Sequence, residues 1–262
     1  MTLTILGSCS GTEPIEGRHH SSFVLEQEGR LFWFDAGESC SYTAHVQGLD
    51  VSTTEAIFIT HTHMDHIGGL PNLLWTMRKL TSRSPEWNEN LRGRTIPVYM
   101  PSMEVWTSML AILAHTEGGF TTNFDLDGQE YEDGVIYDQH GIHVTAQHNL
   151  HLGEPKDGDP WRSFSFRIEV DGKVIVYSGD VRGIEDLDSL IDGCDLLLME
   201  TGHHAVEDIC SYLIRAEKVF GKLVFTHHGR AILGNVEGEL QKAQQRLGDR
   251  VLVAYDSLRL EL

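Results

Sequence analysis

Three imidazoles and a carboxylate lie within six residues of this chain, in the run His61-Thr62-His63-Met64-Asp65-His66. The apolar run 56–59 precedes this cluster, and Gly68-Gly69 follows it. Because extended residues alternate between faces, a strand that ends here places His61 and His63 on one side of the backbone. A single tetrahedral ion takes about four ligands in all, and so many donors at one turn exceed its needs. The cluster therefore predicts two metal ions that share a bridging solvent molecule, an arrangement that activates water in hydrolases.

A metal centre of this kind needs donors elsewhere in the chain, since the alternative is a group of ordinary hydrogen-bonded histidines. The sequence offers three candidates, each at the end of an apolar, strand-like run: His148, Asp180 and His227. His228 competes with His227, because adjacent residues of a strand point to opposite faces.

Three further segments have the pattern of a known family: the glycine loop at residues 5–14, the Asp-x-Gly-Glu turn at 34–38 and the C-terminal residues 253–262. Together with the histidine cluster, they resemble the metallo-β-lactamase-fold hydrolases, in the branch of ribonuclease Z and related phosphodiesterases. The resemblance covers nearly the whole chain and implies a closing hairpin at 253–262.

The resemblance also implies a ligand set. It assigns His61, His63 and His148 to the first metal, Asp65, His66 and His227 to the second, and Asp180 to a bridge between them. Within this set, Ser178-Gly179-Asp180 matches the family's Ser-Gly-Asp, and His227 is chosen over His228. The remaining histidines His140, His143 and His151 receive no role. Imidazole and carboxylate donors suit two Zn²⁺ ions, and manganese or iron are the alternatives that accept the same donors.

The run Glu200-Thr201-Gly202-His203-His204 stands where ribonuclease Z carries His-Glu-Ala-Thr, which frames a proton-relay glutamate. Here Met199 replaces the preceding histidine, and two histidines follow instead. We expect Asp65 to orient the attacking hydroxide and Glu200 to take part in the relay. Either His203 or His204 is the expected general acid, since a histidine commonly protonates a leaving group.

Strand-like and helical segments mix in both halves of the chain, which suits two sheets with helices outside. Helices are expected at 71–80, from the N-cap Ser102 to Ala114, at 205–220 and at 236–247, and a hairpin is expected at Asp171-Gly172. We therefore predict an α+β fold, an αββα four-layer sandwich, as a single domain over residues 1–262. The basic segment 78–94 breaks the pattern. It is expected to be a solvated connection, and the alternative is a lid that meets an anionic substrate.

The chain carries a formal net charge of −19, from 20 basic and 39 acidic residues. Proteins that bind long nucleic acids neutralise phosphates with Lys and Arg, so this balance disfavours nucleic acid and favours a small anionic substrate. No apolar run approaches the roughly 20 residues that span a bilayer, and the start lacks the basic region of a signal peptide. Four scattered cysteines fit reduced thiols. We expect a cytoplasmic protein without membrane contacts. A homodimer is expected because relatives often form dimers.

These observations predict a binuclear metal-dependent hydrolase. The leading hypothesis is a phosphodiesterase that acts on a small or cyclic nucleotide through a metal-bridging hydroxide. Its alternatives are a tRNA 3′-processing endonuclease of the ribonuclease Z type, a lactone or thioester hydrolase, and a non-catalytic metal-binding protein. By the resemblance, the substrate arm of ribonuclease Z lies between the equivalents of His148 and Asp180. That interval is short here, which disfavours tRNA.

Overall fold

The structure is a computed structural model that describes residues 1–11, 15–116 and 119–262. The chain divides into two compact units. Unit 1 consists of Met1–Gly7, Glu16–Tyr131 and Asp256–Leu262, and unit 2 consists of Ser8–Ile15 and Glu132–Tyr255. The single domain expected over residues 1–262 stays a prediction. Part of the expected glycine loop, at residues 12–14, lies outside the described residues.

Unit 1 contains a seven-stranded sheet in the order β14-β1-β2-β3-β4-β5-β6. Its strands are β1 (Thr2–Gly7), β2 (Ser22–Gln27), β3 (Arg30–Phe34), β4 (Thr54–Phe58), β5 (Thr95–Tyr99), β6 (Asp125–Gln129) and β14 (Arg259–Glu261). Pairing is antiparallel from β14 to β3 and parallel from β3 to β6. Strand β4 lies between its parallel neighbours β3 and β5, so the residues that follow it lie at the carboxyl ends of parallel strands.

The helical segments of unit 1 lie between these strands. They are α1 (Cys40–Val46), a 3-10 turn (Val51–Thr53), α2 (Met64–Ile67), α3 (Leu70–Thr81), α4 (Pro85–Leu91) and α5 (Met103–Ala114). Trp33 of β3 packs in one buried cluster with Leu73 and Met77 of α3. The alternate residues Phe32 and Phe34 are also fully buried. Side chains on both faces of the sheet are therefore removed from water, which explains why β3 has no polar alternation.

The basic segment 78–94, which the sequence predicted as a solvated connection, is mostly accessible to solvent but is folded. It continues α3 to Thr81 and then forms α4, whose N-cap Ser84 accepts a hydrogen bond from the backbone N–H of Trp87 at 3.3 Å. Leu91 of α4 is fully buried. Arg94 forms an ion pair with Glu55 at 2.8 Å. The segment is folded because its apolar residues reach the core and a basic residue pairs within unit 1.

Unit 2 contains a second seven-stranded sheet, in the order β13-β12-β11-β10-β9-β8-β7. Its strands are β7 (Gly134–Gln139), β8 (Ile142–His148), β9 (Phe164–Val170), β10 (Lys173–Tyr177), β11 (Cys194–Thr201), β12 (Phe220–His228) and β13 (Val251–Val253). Pairing is antiparallel from β7 to β10 and parallel from β10 to β13. The helical segments are a 3-10 turn (Ile184–Leu187), α6 (Asp188–Ile191), α7 (Val206–Arg215), α8 (Arg230–Leu233) and α9 (Val236–Leu247).

Local turn signals in unit 2 are confirmed. Asp171 and Gly172 both have positive φ, at 51° and 73°, as a two-residue hairpin turn requires.

The helix expected at 205–220 ends earlier, at Arg215. Glu217 takes a left-handed φ of 51°, and the backbone N–H of Lys218 donates to the carbonyl of Leu213 at 3.0 Å. These contacts satisfy the last carbonyls of α7 and stop the helix.

The closing hairpin expected at 253–262 is wrong. β13 pairs in parallel with β12, whereas β14 pairs antiparallel with β1, so the two strands belong to different sheets.

Among the residues that the structure describes, no helix combines the length and the apolar character needed to cross a membrane.

Candidate metal centre

Unit 1 brings its four predicted metal ligands together at the end of β4. His61 is fully buried, and its ring centroid lies 4.7 Å from that of His63 and 4.1 Å from that of His66. Asp65 lies in α2, and its Oδ2 is 3.7 Å from Nε2 of His66. Three imidazoles and one carboxylate therefore form a single group within this unit, as the sequence predicted.

Asp35 fixes the orientation of this group, a role that the sequence interpretation missed. Its buried carboxylate accepts hydrogen bonds from the backbone N–H of Thr60 at 2.8 Å and from the Thr60 hydroxyl. Its Oδ2 also lies 2.7 Å from Nδ1 of His66. An ionised carboxylate only accepts, so Nδ1 carries the proton and Nε2 is the atom with a lone pair for a metal. The Asp-x-Gly-Glu turn at 34–38 was the available signal.

Two glycines allow the turns around this group to approach each other. A Cβ placed on Gly37 would lie 2.5 Å from the carbonyl oxygen of Asp65. A Cβ on Gly69 would lie 2.1 Å from the carbonyl oxygen of Gly37. A side chain at position 37 would move the backbone that carries Asp65, and a side chain at position 69 would move the backbone of Gly37.

In unit 2, Asp180 is buried and lies among three histidines. Its Oδ1 is 3.3 Å from Nε2 of His227. Its Oδ2 is 3.7 Å from Nε2 of His151 and 4.0 Å from Nδ1 of His203. Imidazole nitrogens gathered around one carboxylate are a donor set that transition metals accept.

The prediction of His148 as a ligand needs correction. Its Nδ1 bonds Oδ2 of Asp133 at 2.5 Å, and its ring stacks on Trp161 with centroids 3.9 Å apart. The His148 side chain is 35% exposed, whereas that of His151 is 10% exposed and lies beside Asp180. Strand β8 does end at His148, but the donor beside Asp180 comes three residues later.

The turn after β8 explains this displacement. The side chain of Asn149 accepts a hydrogen bond from the backbone N–H of His151 at 3.1 Å, which is an Asx turn. Oδ2 of Asp186 accepts from the backbone N–H groups of Leu150 at 3.0 Å and of Arg182 at 3.1 Å. Asp186 thus ties the turn that carries His151 to the segment that follows Asp180.

The choice of His227 over His228 agrees with the positions in unit 2. His228 is buried, and its ring bonds the hydroxyl of Thr201 and the carbonyl of Ala254, both at 2.9 Å. His227 has a left-handed φ of 48°, which is uncommon for a residue with a side chain. A Cβ on Gly202 would lie 2.6 Å from Nδ1 of His227, so glycine leaves room for this ring.

Glu200 is buried at the end of β11 and holds His203. Its Oε1 is 3.0 Å from Nδ1 of His203, and its Oε2 accepts from the backbone N–H of that residue at 2.9 Å. Burial opposes ionisation of Glu200, but hydrogen bonds from His203 and His227 outweigh it and hold the pKa of the carboxyl below its usual range. The hydrogen bond from Glu200 raises the pKa of His203.

These contacts separate the two candidate general acids. Nε2 of His204 lies 3.0 Å from the carbonyl oxygen of Val181, which occupies it as a donor. The side chain of His203 is 46% exposed and lies beside Asp180. With Nδ1 directed at Glu200, its Nε2 is the atom that can deliver a proton.

Comparisons with known proteins identify the family of the chain. A family model described as anti-Pycsar protein Apyc1 matches residues 1–205. A ribonuclease Z of Mycobacterium marinum is 25% identical over 290 residues, which cover 99% of this chain and 98% of that protein.

Solved structures give the same fold. The metallo-β-lactamase-fold protein YhfI of Bacillus subtilis has a TM-score of 0.75 at 17% identity, and the short form of human tRNase Z has 0.71 at 22% identity. Yeast PDE1 has a TM-score of 0.62 at 17% identity. Each of these alignments covers 100% of this chain and 99% of the other. The branch and the fold class expected from the sequence are confirmed.

Proposed function

The chain belongs to the family of the anti-Pycsar protein Apyc1 and is a metal-dependent hydrolase, and we propose that it is a phosphodiesterase acting on a small or cyclic nucleotide. The observation that supports this most directly is the contact of His203 with Glu200, beside Asp180. Cleavage of a phosphodiester releases an alkoxide, which needs a proton from the enzyme. A thiolate leaving group is much less basic, so a thioester hydrolase has less need of this histidine.

The proposed donor set follows the family pattern with one change, because His151 replaces His148. The first metal is assigned to His61, His63 and His151, the second to Asp65, His66 and His227, and Asp180 is assigned to both. The chemistry of these donors fits Zn²⁺, and Asp35 gives His66 the tautomer that a metal requires. Bound there, two divalent ions lower the pKa of coordinated water toward about 7 and offset the negative charge of a phosphodiester.

The remaining steps belong to side chains of this chain. Asp65 accepts a hydrogen bond from the attacking water and so directs it at the phosphorus. His203 donates a proton from Nε2 to the leaving oxygen, while Glu200 holds Nδ1 and keeps the ring in place. The same pair can later take a proton back from water and restore the acid form.

Processing of the tRNA 3′ end is the second candidate, because relatives named ribonuclease Z align over the whole chain. Two features weigh against it. Residues 149–163 alone connect β8 to β9, without a helix or strand of their own, where the arm of ribonuclease Z is expected. The net charge of −19 also opposes a long polyanion.

Assays with protein of measured metal content test the function. We expect hydrolysis of bis-p-nitrophenyl phosphate and of a 3′,5′-cyclic nucleotide, and no cleavage of a precursor tRNA. Activity on lactones or thioesters alone would overturn the proposal, and efficient cleavage of precursor tRNA would favour the second candidate. Asp180→Ala should lose both metal and turnover, because its carboxylate is assigned to both ions.

A matched pair of variants tests the ligand set. His151→Ala should bind metal at least about 100-fold more weakly, since loss of a direct ligand exceeds the 10–100-fold effect of an outer partner. His148→Ala removes an exposed contact with Asp133 and should keep the metal stoichiometry of the wild type. The reverse result would restore His148 as the ligand.

A further inference from the structure

A cleft of about 510 Å³ in unit 2 contains chemistry that the proposed metal donors do not use. The stacked rings of His148 and Trp161 form part of its wall, and Glu154, Glu185 and Asp186 line it with carboxylates. Its volume falls within the roughly 300–1,000 Å³ of small-molecule sites. Since His148 forms part of this wall, it can have a role there other than metal binding.

We propose that this cleft, here the nucleoside cleft, binds the base and sugar of the substrate while its phosphate lies at the metal centre. The proposal rests on the proposed function, because it assumes a nucleotide substrate. It adds the element that distinguishes a nucleotide from any other phosphodiester.

The cleft adjoins the donors of unit 2 along the chain. Leu150 lines it and precedes His151, so their Cα atoms are about 3.8 Å apart. Asp186 also lines it and holds the backbone N–H of Arg182, two residues beyond Asp180. Two lining residues of the cleft, Leu150 and Asp186, therefore neighbour donors of unit 2, and the proposal places one nucleotide across the cleft and these donors.

The wall matches the uncharged end of a nucleotide. An aromatic surface at Trp161 suits a nucleobase, because every base has a face that stacks. The carboxylates of Glu154 and Glu185 accept hydrogen bonds from amines and hydroxyls, which bases and ribose supply. Among the described residues that line the cleft, none is Lys or Arg, so a phosphate is repelled there. A polynucleotide with a phosphate at every position fits less well than a single nucleotide.

The test compares two phosphodiesters, 3′,5′-cyclic AMP and methyl p-nitrophenyl phosphate, the second of which has no base. In Trp161→Ala, the ratio of kcat/KM for cyclic AMP to that for the base-free ester should fall about tenfold, mainly through KM. Trp161→Leu keeps apolar volume without an aromatic ring and should show the same fall in the ratio. It replaces Trp161→Ala if the alanine variant fails to fold. Trp87→Phe, in α4 of unit 1, is the control and should keep the ratio of the wild type.

Calorimetry of adenosine binding to metal-free protein separates this proposal from the proposed function. If the wild type hydrolyses neither ester, the proposed function fails, while adenosine binding that weakens in the Trp161 variants still supports the cleft. An unchanged ratio in those variants, an equal loss on both esters, or adenosine affinity insensitive to Trp161 would each overturn it.

Discussion

Replacement of Asp35 by Asn tests how unit 1 prepares a metal ligand. Asp35 has a left-handed φ of 56°, which Asn tolerates as well as Asp, so the backbone should not change. The amide has one accepting oxygen where the carboxylate has two. The backbone N–H of Thr60 can only donate, so the oxygen must face it and the NH₂ group must face His66.

This exchange reverses the tautomer of His66. With a donor opposite it, Nδ1 must accept, and the proton moves to Nε2, the atom assigned to the metal. Loss of such an outer partner weakens metal binding about 10–100-fold. Loss of a buried hydrogen bond to a charged group also destabilises the apo-protein by about 1.5–3 kcal/mol.

Competition with a chelator measures the metal affinity, and ¹⁵N spectra of the histidine side chains report the tautomer of His66 in metal-free protein. Asp50→Asn is the matched control, because that carboxylate caps the 3-10 turn through the backbone N–H of Ser52 at 3.0 Å and Asn caps equally well. Wild-type affinity in Asp35→Asn, with Nε2 of His66 still unprotonated, would refute the reasoning.

Three further changes have defined outcomes. Gly37→Ala places a Cβ 2.5 Å from the carbonyl of Asp65 and should lower the free energy of unfolding in urea by about 1–3 kcal/mol, with weaker metal binding. Glu200 raises the pKa of His203 above its ordinary 6.5, so activity that needs the acid form falls as the pH rises through that raised pKa. In Glu200→Gln, the alkaline limb of the pH–rate profile should move to lower pH, and an unmoved limb would remove His203 as the acid. Asp186→Ala should weaken metal binding about tenfold, whereas Asp186→Asn, which keeps an accepting oxygen, should rescue much of it.

Local patterns in the sequence were sufficient for much of the fold. Strand β8, helix α9 and the hairpin at Asp171 have the predicted bounds or turn, because hydrophobic period and turn residues act over a few positions. The cluster at 61–66 was found for the same reason, since its donors lie on one short turn.

Contacts between distant residues account for what the sequence did not predict. Strands β13 and β14 are close in the chain, but they pair in different sheets. The local sequence of a strand does not determine which strand it pairs with. His151 was missed because alternation along β8 stops at His148, and an Asx turn at Asn149 sets the direction of the next donor. The register shift opposite His227 likewise breaks the alternation that a strand pattern assumes.

In both units, some carboxylates are assigned as metal ligands and others position those ligands. Asp65 and Asp180 are assigned to metals, whereas Asp35, Asp186 and Glu200 bond the backbone and rings that position the donors. Of the supporting acids, Asp35 and Glu200 are buried. A buried carboxylate is costly unless it is paired or fully hydrogen-bonded, and both accept from an N–H group next to a donor. The cost of burying Asp35 and Glu200 is therefore offset only when the neighbouring donors are in place, which couples the stability of each unit to the positions of its own donors.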